Sequence, residues 1–264
     1  MRRTTAICAL ACLGLAAVAL AQDDAKLEPR APSSTWFNRD DLSLSVTTAV
    51  YGKYMWRGID IINEPVHQPE VYLGYKGLTL GVWANQELTN TAKHCGDFTE
   101  FDYSIDYSWS WKKLSFIIGY VNYRYPNLSL PENSDVYAGV ELDVLLRPAI
   151  KVYREVDEAW GTYVKFSVGH TFEEVWKPTK ASSVSVDLSA SVGYGSRNHN
   201  DANYGTNAHG WTDVLLSLAV PIKLGKRWTL RPAIWYSSLL DGRIRENMKH
   251  DGNVWGSLAL TWSF

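Results

Sequence analysis

The feature of this sequence that most constrains its fold is an alternation of apolar and polar residues that recurs along most of its length. In FTEFDYSIDYSWSW, residues 98–111, every second side chain from Phe101 to Trp111 is apolar, and serines and acids stand between them. A period of two places consecutive side chains on opposite faces of a β-strand. The alternation therefore predicts strands with one apolar face and one wet face.

The pattern predicts twelve strands. They lie near residues 42–57, 66–76, 78–88, 98–111, 114–125, 136–146, 149–157, 162–172, 183–195, 211–220, 227–238 and 253–264. In the first of them, the same alternation assigns Tyr54 and Trp56 to the apolar face and Lys53 and Arg57 to the polar face.

The connections between these strands are sorted by length. Short ones are residue 77, 112–113, 147–148 and 221–226, and long polar ones are 58–65, 89–97, 126–135, 196–210 and 239–252. Residues 173–182 and 158–161 depart from this sorting, the first as a long connection and the second as a short one. Short turns at one end and long loops at the other are typical of transmembrane barrels. Because a sheet edge cannot stay open in lipid, we expect an all-β, antiparallel up-and-down transmembrane β-barrel, most likely of twelve strands.

The two ends of the sequence predict where this barrel resides. Arg2 and Arg3 precede a small apolar stretch that ends at Ala19-Leu20-Ala21, which is typical of a secretory signal peptide. We expect a signal peptide at 1–21, a flexible periplasmic leader at 22–41 and the barrel at 42–264. The last strand alternates up to Phe264, a terminal aromatic that we expect the outer-membrane assembly machinery to recognise. The predicted location is the bacterial outer membrane.

Composition excludes several other classes. The formal net charge is −2, and without a basic tract the chain is not expected to bind nucleic acid. Cleavage after Ala21 leaves Cys95 as the one remaining cysteine, which excludes an intramolecular disulfide. His94, Cys95 and nearby Asp97 fall short of a metal site. We expect no cofactor, no metal and no catalytic residue.

The polar phase of the strands predicts the lining of a narrow pore. Twelve strands enclose more space than eight, whose interior side chains fill, and less than the sixteen of open porins. We expect outer-membrane lipid around the barrel and small ions or small polar solutes inside it, and Glu87 close to Glu100 across the 89–97 connection. The predicted pore-lining residues are Lys53, Arg57, Glu70, Glu87, Glu100, Asp102, Asp106, Glu141, Asp143, Asp187, Asp213 and Arg231.

Residues 51–85, YGKYMWRGIDIINEPVHQPEVYLGYKGLTLGVWAN, also resemble the first hairpin of the TorF-like porins, bacterial outer-membrane proteins without an assigned function. The matching features are Tyr54, Trp56-Arg57-Gly58, Pro65, Gln68-Pro69, Gly74 and Gly81-Val82-Trp83. The resemblance is strongest over residues 44–110. It implies a passive outer-membrane channel and brings no established substrate.

Two alternatives to a channel stay open at this point. A structural or adhesin-like barrel would bind a partner through its outer loops, and residues 196–210, rich in Asn and Gly, are typical of a mobile loop. An outer-membrane lipid hydrolase would need a nucleophile, a base and a group that orients the base. Ser196 and His199 are sequence neighbours without such an orienting group, so an enzyme is the less favoured alternative.

Overall fold

The structure of the protein, a computed structural model, describes residues 41–90 and 93–264. The predicted signal peptide and residues 22–40 of the predicted leader lie outside this part of the chain. The strands are β1 Leu42–Tyr51, β2 Tyr54–Trp56, β3 Ile59–Ile62, β4 Val66–His67, β5 Glu70–Tyr75, β6 Leu78–Glu87, β7 Phe98–Trp111, β8 Leu114–Arg124, β9 Asn133–Leu142, β10 Ala149–Glu155, β11 Thr162–Thr179, β12 Ser182–Gly195, β13 Gly210–Ala219, β14 Ile222–Leu224, β15 Trp228–Leu239 and β16 Gly252–Ser263. The helices are α1 Arg197–Tyr204 and α2 Gly242–Arg245. No helix in the described ranges is both long and apolar enough to cross a membrane.

The strands form one closed antiparallel barrel with twelve positions in its wall. β4 and β5 together occupy the second position, β13 and β14 together the tenth, and every other strand except β2 and β3 occupies one of its own. The first and last strands close the wall, in a register that runs from Ser45 opposite Ser263 to Tyr51 opposite Ser257. The prediction of a twelve-stranded antiparallel barrel is therefore confirmed.

The two ends of the barrel differ in their connections. The loop end carries residues 52–65, 88–97, 125–132, 156–161, 196–209 and 240–251, and the turn end carries 76–77, 112–113, 143–148, 180–181 and 225–227. The long connection predicted at 173–182 is wrong. β11 continues to Thr179 and pairs with β12, with register shifts after Phe172 and after Trp176. Consecutive acids at Glu173 and Glu174 interrupt the alternation there, so the sequence pattern ended the strand too early.

The outer surface of the wall is apolar. Its large exposed side chains include Val71, Leu73, Leu80, Val82, Ile105, Ile118, Leu216, Leu218, Ile234 and Leu258. Exposed aromatic residues lie toward both rims, among them Trp109, Trp111 and Trp228 at the turn end and Trp160 and Trp211 at the loop end. An apolar band between two aromatic girdles is the surface that a barrel presents to lipid.

The interior becomes more tightly packed toward the loop end. Along β15, the inward-facing Arg231 and Ala233 are partly exposed, whereas Trp235, Ser237 and Leu239 are 6%, 2% and 1% exposed. All five residues belong to one strand of the wall, so an element other than the wall fills the lumen at the loop end. That element is the connection after β1.

Candidate functional site

The site is built around residues 52–65, here called the luminal hairpin. The prediction that the first strand continues to residue 57 is wrong, because β1 ends at Tyr51 and the chain then forms the separate pair β2 and β3. Arg57 and Gly58 make the two-residue turn between them, with φ of 46° and 80°. Two positive φ values match the twist of a tight hairpin, and glycine adopts the second without strain.

The luminal hairpin crosses the interior from one wall to the opposite wall. The Tyr54 hydroxyl donates a hydrogen bond of 2.9 Å to Glu100 on β7, at the fourth wall position. At the other side, a Cβ added to Gly58 would lie 2.7 Å from the Cβ of Asp213 on β13, at the tenth position. Six positions separate these strands in a ring of twelve, so the hairpin spans the lumen.

One side of the luminal hairpin packs into an apolar cluster inside the barrel. Tyr54 and Met55 are buried against the wall residues Ala49, Tyr51, Trp83, Trp235 and Trp255. The Tyr54 and Trp83 rings lie 5.6 Å apart, and the Trp235 and Trp255 rings stack at 6.3 Å. Burial of a methionine side chain contributes about 1.5–3 kcal/mol, so this cluster holds the hairpin inside the lumen.

The other side of the luminal hairpin presents Arg57 to a polar and aromatic region of the wall. Its Nη2 donates a hydrogen bond of 2.9 Å to Asp135 on β9, and both side chains are almost fully buried. The guanidinium carbon lies 4.8 Å from the ring centre of Tyr153 and 4.4 Å from that of Tyr163. Arg57 thus forms a buried ion pair inside an aromatic enclosure.

The aromatic part of this enclosure is an arc of tyrosines in register. Tyr137, Tyr153 and Tyr163 stand directly opposite one another on β9, β10 and β11. The wall makes room for two of them with glycines. A Cβ at Gly119 would lie 2.5 Å from the ring of Tyr137, and one at Gly193 would lie 2.4 Å from the Tyr163 hydroxyl. These rings can lie along the wall because both glycines lack a side chain.

Both helices cover the luminal hairpin from the loop end. Tyr204 at the end of α1 is fully buried and donates a hydrogen bond of 2.7 Å to the Arg57 carbonyl. It packs with Leu239 and with Ile244 of α2. A further tie joins Asp60 of the hairpin to His250 at 2.8 Å. The connection 196–209, within the stretch 196–210 whose composition is typical of a mobile loop, contains α1 and forms a packed helical cap.

His199 is the buried imidazole of this cap. Its ring lies 5.3 Å from that of Tyr163 and 5.8 Å from that of Tyr204. Burial, together with the nearby positive charge of Arg57, holds the pKa of His199 well below its usual value. The imidazole is therefore neutral in the packed cap.

A cavity of about 170 Å³ lies inside the barrel, between the luminal hairpin and the wall. Its lining includes Arg57, Tyr153, Tyr163, Asp102, Asp106, Lys151, Lys165 and Ser191. Charges of both signs therefore face this cavity.

Three of the predicted pore-lining acids, which lie around the luminal hairpin and the cavity, accept hydrogen bonds from tyrosine hydroxyls. The pairs are Tyr54 with Glu100 at 2.9 Å, Tyr137 with Asp106 at 3.2 Å, and Tyr163 with Asp213 at 3.1 Å. Asp102 lines the cavity between the first two of these acids.

Other predicted pore-lining residues lie closer to the turn end, and one lies in a turn. Arg231 approaches Asp187 at 3.5 Å, and Arg147 donates a hydrogen bond of 2.7 Å to Glu141. Asp143 lies exposed in the turn 143–148, beyond the end of β9.

The remaining predicted positions lie at the loop end. Lys53 follows β1 and donates a hydrogen bond of 2.7 Å to Asn253. Glu70 and Glu87 are buried on β5 and β6. The residue directly opposite Glu100 is Asn85, in the same register that places Leu78 opposite Tyr107, and a register shift follows Asn85.

Two aromatic residues lie on the opposite side of the wall from the one expected. The alternation assigns Tyr54 and Trp56 to the lipid face, but they belong to the luminal hairpin and line the cavity. Period two fixes a face only while the strand continues in the wall. After Tyr51 the chain leaves the wall, so the alternation of apolar and polar residues no longer indicates which side chains face lipid and which face the lumen.

Sequence reasoning missed Asp135 and the tyrosine arc. The sixth predicted strand, 136–146, starts one residue after Asp135, whereas the corresponding β9 begins at Asn133. A signal was present, since Tyr153 stands in the polar phase with Lys151, and Tyr163 with Lys165. Aromatic residues on the wet face of a strand could have indicated the enclosure.

The structure places Ser196 and His199, the candidate hydrolase residues, together at the start of α1. Ser196 Oγ accepts hydrogen bonds from the backbone N–H groups of Thr162 and His199, and so caps α1. It does not contact the His199 ring as a nucleophile would contact its base. No group of three or more His, Cys, Asp and Glu side chains within 41–90 and 93–264 is placed to hold a metal ion.

No family model matches this chain. No curated protein matches it either. Among solved structures, the chain is similar to the NanC porin, with a TM-score of 0.48, 10% identity and coverage of 83% of this chain and 98% of that one. For the KdgM porin the TM-score is 0.45, the identity 11% and the coverage 84% and 99%. For the COG4313 outer membrane channel from Pseudomonas putida F1 the TM-score is 0.49 and the identity 9%, with coverage of 92% of this chain and 100% of that one. Likeness at this level does not bear on the solute.

Proposed function

We propose that this protein is an outer-membrane channel for small ions or small polar solutes, and that the luminal hairpin sets its narrowest point. The apolar exterior with two aromatic rims supports a place in a membrane. The alternatives are a barrel that binds a partner through its loop end and, less favoured, a lipid hydrolase.

The observation that carries this proposal is the nature of the space beside the luminal hairpin. A barrel that served only as an anchor would gain stability from an apolar or fully packed interior. This interior keeps a cavity of about 170 Å³ lined by charged and hydroxyl side chains. Lined in that way, it suits hydrated ions and polar solutes, and the hairpin limits their size.

The charges around the cavity favour cations weakly. Glu100, Asp102 and Asp106 follow one another along the inner face of β7, and Lys151 and Lys165 face them from β10 and β11. In a low-dielectric wall, an acidic strand attracts counter-ions and repels anions, and added salt screens that preference.

Conductance of the purified, refolded barrel in planar bilayers tests the proposal. A deletion of residues 53–64, closed by a short Gly-Ser linker, should raise the conductance severalfold because it removes the element that spans the lumen. A matched deletion of residues 129–131, which are exposed at the loop end, should leave conductance unchanged. Heat-dependent gel mobility verifies that each variant is folded.

Reversal potentials in a salt gradient then test the selectivity. Replacing Glu100, Asp102 and Asp106 by Gln and Asn should shift the potential toward anion permeability. If neither the wild type nor the hairpin deletion conducts, the channel proposal fails. The helical cap of the loop end would then favour the alternative of a partner-binding surface.

A further inference from the structure

We propose that the wall around Arg57 is a binding site for the guanidinium or alkylammonium group of a solute, and that Arg57 occupies it as an internal ligand. This inference deepens the proposed channel function, because it names the class of solute that the lumen recognises.

The anionic half of the site is Asp135. Its Oδ2 accepts a hydrogen bond from Arg57 Nη2 at 2.9 Å and one from the Tyr123 hydroxyl at 3.2 Å. The Asp135 side chain is 4% exposed, so the carboxylate is oriented and shielded from water. A carboxylate of this kind suits a planar N–H donor with a positive charge.

The aromatic half of the site comes from neighbouring strands. The Tyr153 and Tyr163 rings meet the guanidinium at 4.8 Å and 4.4 Å, and the two rings are inclined at 49° to each other. Ring faces attract cations through their quadrupoles, more strongly where water is excluded. Lys151 makes the same kind of contact with one of these rings, with Nζ 4.9 Å from the Tyr153 ring centre.

The site belongs to the wall, whereas its present occupant comes from a connection. Tyr123, Asp135, Tyr153 and Tyr163 lie on β8, β9, β10 and β11, four consecutive wall strands. Arg57 extends from the turn of the luminal hairpin. Its backbone carbonyl accepts a hydrogen bond from the Tyr204 hydroxyl. A rotation of the Arg57 side chain would therefore expose the site while the wall and the hairpin backbone stay in place.

The charges around the site favour a cation as the solute that takes the place of the Arg57 side chain. Asp102, Asp106 and Asp213 line the cavity, and Glu100 and Asp135 accept hydrogen bonds from the luminal hairpin. Of the basic side chains that line the cavity, Arg57 comes from the hairpin and Lys151 and Lys165 from the wall. Once Arg57 turns away, the wall keeps a formal excess of acid at this level, which favours cations over anions.

Chemical rescue of an Arg57→Ala variant tests the site directly. Methylguanidinium, added at millimolar concentration to the folded barrel in micelles, should raise its thermal unfolding midpoint in a saturable way. At 100 times Kd the shift should be roughly 5 °C or more. Methylammonium should act in the same direction, whereas N-methylurea, a neutral molecule of similar shape, and acetate should not. The wild type should need a higher concentration because Arg57 competes.

The matched control is Arg57→Ala combined with Asp135→Asn, which should lose the saturable response. If Arg57→Ala does not fold alone, it is refolded with and without methylguanidinium, and the ligand should restore heat-dependent gel mobility. A response equal to that of N-methylurea, or no rescue by either route, overturns the site. These measurements report binding and not conduction, so a barrel that fails to conduct could still bind, and a conducting barrel could still fail here.

Discussion

The two halves of the lumen are enclosed by the same wall, yet one is packed and the other is wet. At the loop end of β1, the inward-facing Thr47, Ala49 and Tyr51 are 1%, 1% and 4% exposed. At the turn end of the same strand, Ser45 is partly exposed and Ser43 is exposed. The alternation is the same along the whole strand. The difference teaches that a connection, and not the wall, decides whether a barrel interior becomes a core or a passage.

The packed half is also chemically divided. The apolar cluster around Met55 anchors the luminal hairpin, while the ion pair of Arg57 and Asp135 lies beside the cavity. A buried ion pair carries a desolvation cost and is weak support for stability. Its presence in a place that could have been apolar favours a role in recognising charge.

Among the changes that distinguish the packed half of the lumen from the wet half, Asp135→Asn should lower the unfolding free energy most. Removal of one partner leaves Arg57 buried without its counter-charge, which should cost about 3–5 kcal/mol of unfolding free energy at the loop end. The corresponding turn-end change, Glu141→Gln, affects a pair that is partly open to water and should cost under about 1 kcal/mol. Urea unfolding followed by tryptophan fluorescence measures both. Equal losses would contradict the contrast between a packed half and a wet half.

A second test separates the inside of the wall from the outside. Ile105→Arg places a charge on the exposed apolar face of β7 and should cost roughly 2–4 kcal/mol in a bilayer. Ser104→Arg, one residue away, directs the same side chain into the polar cavity and should be far milder. Refolding yield in lipid vesicles at matched protein concentration compares the two variants. Similar damage from both would mean that the assigned faces of β7 are wrong.

The smallest expected effect is a pH dependence confined to the helical cap. In the unfolded chain a histidine has a pKa of about 6.5. Burial beside Arg57 lowers the pKa of His199 in the folded cap, so the unfolded state binds the proton more readily. The stability that neutral His199 contributes is therefore complete above about pH 6.5 and falls as the pH drops below it, toward the lower folded value.

Thermal unfolding midpoints at pH 7.5, 6.5 and 5.5 measure this dependence. His199→Gln, which cannot take up the proton, should lower the midpoint at pH 7.5 and flatten the decline below pH 6.5. An unchanged decline in that variant would assign the effect to another group.

Much of the architecture was predictable because lipid imposes simple rules. The split of Ile105 from Ser104 follows from period two alone, and the turn at Lys112-Lys113 separates two long alternating stretches in the sequence and in the structure. The ends of strands were less predictable. Glu173 and Glu174 look like a loop, yet pairing with β12 carries β11 through them to Thr179.

The site was predictable only in part. Arg57, Glu100 and Asp213 are notable in sequence as charged residues in or near the polar phase of predicted strands. Asp135 and Tyr163 lie 78 and 106 positions after Arg57, and no local pattern links them to it. Their meeting depends on the barrel having closed and on the luminal hairpin turning inward.

The sequence by itself determined that this chain forms an alternating antiparallel wall and, where a strand stays in the wall without a register shift, which of its side chains face each side. Those properties are local, because the pleat of a strand fixes the direction of every side chain. The tertiary structure alone decided that residues 52–65 enter the lumen, that Tyr54 and Met55 pack against Trp83, and that Arg57 pairs with Asp135. Those contacts join strands far apart in the chain, and an aromatic residue that prefers lipid is buried equally well inside a packed lumen.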